Sequence, residues 1–172
     1  MAARPLGFGA AYGKGVDLMS LDASERDELT RELARRAIHR AAPDELAIFD
    51  DLVVEYFADP QAALHAVDRD ETLGFGLDLT LLTPYMLAVA GYVLPLLNDM
   101  MTEVAKEQGS AMVGSWVGRL VHREARPGAV HLTVEQARRV QAVAFEQARR
   151  AGLDDNRARL VADSIAGAVA VG

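Results

Sequence analysis

An uncharged run of twenty residues, 79–98, constrains this chain more than any other feature, because so long an apolar segment has to be covered. Asp78 and Asp99 bound the run. A helix of this length can cross a bilayer, and it can equally form the central helix of a bundle, apolar on every side. The run contains Pro84, Gly91 and Pro95, which cost less within a helix when neighbouring helices cover the loosened backbone.

The elements around this run predict an all-α fold: a single-domain helical bundle around a hydrophobic central helix. The chain has 172 residues, of which 51% are hydrophobic, enough for one core. Glycines without a helical period predict an irregular, flexible glycine-rich arm over 1–20. We assign 21–125 to a helical core with an apolar central helix over 79–108, and 129–172 to a C-terminal αα-hairpin. Because no segment alternates like a strand, we expect at least about 80% of the ordered residues to be helical.

Apolar side chains recur at helical spacing before the run. A first helix is predicted from Ser24, and its apolar face comprises Leu29, Leu33, Ala37 and Ile38. Pro43 suits the first turn of a second helix, whose apolar stripe comprises Leu46, Phe49, Leu52, Val53, Tyr56 and Phe57. The pair Thr83-Pro84 predicts the first turn of the central helix, which we expect to continue to Gln108.

Local signals predict the C-terminal hairpin most directly. Thr133 and Gln136 have the spacing of a capping box, and Gly152 stands where a glycine ends many helices. Asp154 or Asp155 begins the last helix. The predicted faces are Ala137, Val140, Ala144, Ala148 and Ala151 on one helix, and Ala158, Val161, Ile165 and Ala168 or Val169 on the other. So short a connection predicts that the two helices pack together.

Charge and composition exclude several classes of function. The chain has a formal net charge of −7; residues 17–78 hold sixteen acids and six bases, whereas 79–172 hold nine and ten. The acidic first half repels phosphate backbones, so we expect no nucleic-acid partner. The absence of cysteine excludes disulfides and thiolate metal sites. Without the apolar stretch of a secretory signal, we expect a cytoplasmic location, with membrane association as the alternative.

No motif specifies a reaction or a cofactor. Gly9 is one residue too close to Gly13-Lys14 for a phosphate-binding loop, and Gly15 replaces the required hydroxyl residue. The four histidines (His39, His65, His122 and His131) lack the spacing of zinc or di-iron helices. No serine stands in a nucleophile elbow. We therefore predict no catalytic residue, no cofactor and no metal ligand.

Two charged groups are candidates for binding a protein partner. Two arginine pairs recur after eleven residues, three helical turns, and so form one basic band: Arg138, Arg139, Arg149 and Arg150. Three acids (Asp50, Asp51 and Glu55) cluster opposite the apolar stripe of the second helix. The acidic half of this chain, or of a second copy, could bind the basic band.

Small residues at every fourth position follow the apolar run, namely Ser110, Gly114 and Gly118. Such a stripe forms a groove in which another helix packs closely, in membrane dimers and in bundles alike. We assign these three residues to helix packing.

Three functional hypotheses follow. The first is a non-enzymatic helical interaction module that binds a protein partner or itself, with 79–98 as its buried central helix. The second is a membrane-associated or membrane-inserting effector of the pore-forming type, which uses the apolar segments 79–98 and 110–121. The third is an enzyme whose catalytic residues are distant in sequence. The first is preferred, because each flanking helix has one apolar face that a central helix would cover.

Overall fold

A computed structural model describes residues 22–70, 81–108 and 132–170, and within these ranges the chain forms helices and no strand. The helical fraction is 89%, which confirms the predicted all-α class. The six α-helices of the described residues are α1 (Ala23–Ala41), α2 (Phe49–Ala58), α3 (Pro60–Asp70), α4 (Thr83–Gln108), α5 (Val134–Arg150) and α6 (Asp155–Ala170), and a 3₁₀ helix (Pro43–Ala47) precedes α2. The predicted glycine-rich arm lies outside the described residues.

Capping boxes begin α1 and α5. The Asp22 carboxylate accepts from the Glu25 backbone N–H at 2.8 Å, and the Glu25 carboxylate accepts from the Asp22 N–H at 3.0 Å. Thr133 and Gln136 make the same reciprocal pair at 3.1 and 2.9 Å, as predicted. Helix α1 therefore begins one residue before the predicted Ser24, because Asp22, not Ser24, supplies the capping oxygen.

The helix predicted from Pro43 is in fact two elements. The 3₁₀ helix ends at Ala47, and Ile48 leaves the helical region with φ −116° and ψ 5°. Phe49 and Val53 of the predicted stripe are buried, whereas Phe57 is exposed and its ring packs edge-on against Tyr56, with centroids 5.5 Å apart. The apolar pattern therefore locates the core-facing side of α2 but overestimates its width.

Helix α4 occupies the middle of the packing. It contacts α1, α2, α3, α5 and α6, while α1 also packs on α6. Its buried apolar side chains are Tyr85, Met86, Leu87, Val89, Ala90, Val93, Leu94, Leu97 and Met100. It begins at Thr83, as the Thr83-Pro84 pair predicts, and it continues to Gln108, the last residue described in this part of the chain.

A carboxylate from the 3₁₀ helix caps α4. The Leu82 N–H and the Thr83 N–H donate to the Glu45 carboxylate at 2.7 and 2.8 Å, and the Thr83 hydroxyl donates at 2.6 Å. Backbone N–H groups at a helix start have no partner within the helix, and the helix dipole favours an anion there. Glu45 therefore satisfies two of these donors and joins the 3₁₀ helix to the start of α4. Leu82 and Thr83 are 37 and 38 residues further along the chain.

The connection between α5 and α6 is a Schellman turn. Gly152 has φ 107°, its N–H donates to the Arg149 carbonyl at 3.1 Å, and the Leu153 N–H donates to the Ala148 carbonyl at 3.2 Å. Leu153 and Ala148 are both buried. The Asp154 carboxylate then accepts from the N–H groups of Asn156 and Arg157, at 2.8 and 3.1 Å, and caps α6. Gly152 supplies the left-handed conformation that this turn requires.

Candidate functional site

A groove of about 710 Å³ lies between α4 and α5. Its walls are formed by Gly91, Tyr92, Pro95, Leu96 and Asp99 of α4 and by Ala142, Val143, Glu146, Gln147 and Arg150 of α5. The Tyr92 side chain is 53% exposed, although it belongs to the uncharged run. The groove is therefore an accessible, mainly apolar surface with charged groups along it.

Two residues of α4 that line the groove are unusual inside a helix. Gly91 has no side chain, and a Cβ built there lies 3.6 Å from the Thr30 methyl carbon, so α4 lies close to α1 at this point. Pro95 lies inside the helix and has no N–H, so it cannot donate the usual helical hydrogen bond to the Gly91 carbonyl. A carbonyl without that bond needs another donor, such as water or a group of a partner.

The groove carries charges of both signs. Asp99 and Glu146 are acidic, and Arg150 is basic. Within the part of the chain that the structure describes, none of the three takes part in an ion pair or a side-chain hydrogen bond. All three side chains are exposed. Among the described residues, these charges are therefore available to the charges of a partner.

The four arginines of the predicted band have different environments. Arg138, Arg139 and Arg150 are exposed on α5, and only Arg150 lines the groove. The Arg149 guanidinium donates to the Leu153 carbonyl at 2.5 Å and pairs with the Asp155 carboxylate at 2.9 Å. Arg149 thus stabilises the turn between α5 and α6, which leaves Arg138, Arg139 and Arg150 as the available cations.

The three predicted acids also differ from one another. Asp50 accepts from Arg31 at 2.7 Å and from Arg35 at 2.5 Å, while Asp51 and Glu55 are exposed. The hydrogen bond from Arg31 holds the pKa of the Asp50 carboxyl below its usual value. The Arg31–Asp50 interaction therefore stabilises the fold at pH values above the unfolded-state pKa of Asp50. This contribution is lost as the pH falls through the lower pKa that Asp50 has in the folded state. Asp50 joins α2 to α1 within one molecule.

The remaining sequence candidates are only partly described. The helix-packing residues Ser110, Gly114 and Gly118 lie outside the described residues, as do His122 and His131. His39 and His65 are exposed. Across 22–70, 81–108 and 132–170, no group of histidine, aspartate and glutamate side chains is arranged to hold a metal ion.

The membrane hypothesis depends on the same run that forms α4. In the described ranges, no helix combines the length and the apolar character needed to cross a bilayer. The second apolar segment, 110–121, lies outside those ranges.

Sequence reasoning missed the groove because it treated the whole uncharged run as buried. The available signal was Gly91 and Pro95, four residues apart and therefore on one side of α4. Comparison with known proteins adds no further candidate: no family model, curated protein or solved structure matches this chain.

Proposed function

We propose that this protein is a non-enzymatic helical interaction module that associates with a second copy of itself through the α4–α5 groove. The observation that carries the proposal is the exposed Tyr92, which stands in an apolar groove beside three charged side chains without ion-pair partners in the described chain. Buried tyrosine side chains are among the residues that contribute most to protein interfaces.

The mixed charges favour a second copy as the occupant. Two identical surfaces meet in a twofold interface, so each must carry groups that complement its own. Arg150 of one molecule can pair with Asp99 or Glu146 of the other. Because each chain has a net charge of −7, association needs such a surface to offset general repulsion.

Arg139 would extend this complementarity along α5. It is exposed, and it lies seven residues before Glu146 and eleven before Arg150, which both line the groove. These spacings are about two and three helical turns, so Arg139, Glu146 and Arg150 alternate in sign along one side of α5. A partner helix packed against that side would meet a cation, an anion and a cation in order.

Sedimentation velocity over a range of micromolar concentrations tests the proposal. We expect the wild type to self-associate, and we expect Arg150→Glu to weaken the association roughly ten-fold or more, since reversing an interfacial charge leaves like charges opposed. Arg138→Glu is the matched control, because Arg138 is exposed on the same helix but does not line the groove. We expect it to leave association unchanged.

A charge exchange sharpens the test. The double variant Arg150→Glu with Glu146→Arg keeps the same number of charges of each sign in the groove, so we expect it to recover association that Arg150→Glu loses. A wild type that stays monomeric throughout would refute self-association. Equal loss in Arg138→Glu and Arg150→Glu would refute the groove as the interface.

A further inference from the structure

A separate cavity of about 340 Å³ lies where the second half of α1 meets α6 and the 3₁₀ helix. We call it the arginine pocket; it is lined by Glu32, Arg35, Arg36, His39, Arg40, Leu46 and Ala168. Three arginines thus line one small space, within the half of the chain that is otherwise strongly acidic. The pocket shares no residue with the α4–α5 groove.

Carboxylates hold two of these guanidinium groups in place. Arg35 donates to Asp50 at 2.5 Å, and its guanidinium carbon lies 4.7 Å from the centre of the Phe49 ring. The Arg36 Nε donates to the Glu32 carboxylate at 3.2 Å. These contacts restrict both side chains, so little conformational entropy would be lost when a ligand binds beside them.

A glycine holds the third guanidinium group. A Cβ built on Gly167 of α6 would lie 3.0 Å from Cζ, Nε and Nη2 of Arg40, so the guanidinium lies against the α6 backbone. Neither Arg40 nor His39 has an ion-pair partner among the described residues. The helix dipoles favour a cation at this place, because Arg40 lies in the last turn of α1 and Gly167 in the last turn of α6.

We propose that the arginine pocket binds a phosphate group, free or carried on a small molecule. Guanidinium groups match phosphate oxygens with paired hydrogen bonds, and a dianion suits a cavity whose described lining has three arginines and one carboxylate, Glu32. A volume of about 340 Å³ is at the lower end for small-molecule sites. The net charge of −7 repels anions in general, so the cluster would have to supply the attraction locally.

Isothermal titration calorimetry with inorganic phosphate, at constant ionic strength maintained with chloride, tests this site. We expect saturable binding to the wild type and a melting temperature that rises with phosphate concentration. Removing one charge-assisted contact with Arg40→Gln should weaken binding roughly ten-fold or more. The control is Arg159→Gln, which removes an exposed arginine of α6 that is outside the pocket and has no described ion pair.

Gly167→Ala separates geometry from charge. It keeps every arginine but places a Cβ against the Arg40 guanidinium, so we expect weaker phosphate binding by folded protein, as judged by circular dichroism. Glycerol phosphate in place of phosphate distinguishes the two ligand sources: tighter binding indicates a phosphorylated small molecule, and equal binding indicates free phosphate. Absence of saturable binding to the wild type, or equal binding by Arg40→Gln and wild type, would overturn the proposal.

Discussion

Two successive segments of α4, 83–90 and 91–99, which we call its buried and accessible halves, have similar apolar sequences but different environments. From Thr83 to Ala90 every side chain except Ala88 is buried, and Ala88 is half-buried. From Gly91 to Asp99 one side of the helix is exposed through Gly91, Tyr92, Pro95 and Asp99. An uncharged run therefore does not have to be covered uniformly. Its second half combines a core-facing side with an accessible groove, and the change occurs where Gly91 and Pro95 remove a side chain and a backbone donor.

The largest expected effect comes from placing the same carboxylate in each half. Leu87 is fully buried, so Leu87→Asp should destabilise the protein by roughly 3–5 kcal/mol or prevent folding, because the charge would have no partner. Tyr92→Asp introduces the same group on the exposed side and should change stability by less than about 1 kcal/mol. Urea denaturation measures both. Equal destabilisation by the two variants would contradict the distinction between the halves.

The capped start of the buried half predicts the next effect. Glu45→Gln keeps the size of the side chain but replaces an accepting oxygen by a donating amide. We expect a loss of roughly 1–3 kcal/mol, because a Leu82 or Thr83 donor would be left unsatisfied. Asp44→Asn, on the same 3₁₀ helix but exposed, is the control for loss of charge alone. Equal melting temperatures for the two variants would show that the cap contributes nothing.

A smaller effect of opposite sign is expected from Pro95→Ala in the accessible half. Alanine restores an N–H that can donate to the Gly91 carbonyl, so we expect stability to rise by roughly 1–2 kcal/mol. The same change removes a ring that lines the groove, so we expect it to weaken the proposed self-association. Thermal denaturation should therefore show a higher melting temperature, while sedimentation velocity should show weaker association. A loss of stability would show that packing around the proline outweighs the restored hydrogen bond.

The smallest effect is expected from Gly91→Ala. The added Cβ meets the Thr30 side chain at 3.6 and 3.8 Å, which are ordinary contacts, so it should gain roughly 0.5–1 kcal/mol from helix propensity. Gly152→Ala is the contrasting control: the space is open, but φ of 107° is strained for alanine, so we expect a loss of about 1 kcal/mol. Chemical denaturation of both variants checks the two signs. If Gly91→Ala were destabilised, α1 and α4 would have to be packed more tightly than these distances indicate.

Arg149 and Arg150 have different environments, and the sequence could not specify this difference at the candidate site. Helical periodicity correctly placed Val140, Ala144 and Ala148 on the buried side of α5. The same periodicity places both adjacent arginines on the exposed side and predicts no difference between their environments. In the folded chain, Asp155 at the start of α6 pairs with Arg149 and holds it at the turn. Packing of α4 beside α5 places Arg150 at the groove.

Sequence by itself determined the all-helical class, the Thr133–Gln136 capping box, the turn at Gly152 and the start of α4 at Thr83. Each depends on residues within a few positions of one another, where backbone geometry sets the partner. Tertiary structure decided that Glu45 caps α4, that Asp50 binds α1 and that Tyr92 faces a groove. These contacts join elements far apart in the chain. Their partners are selected by how the apolar faces pack, which no local spacing encodes.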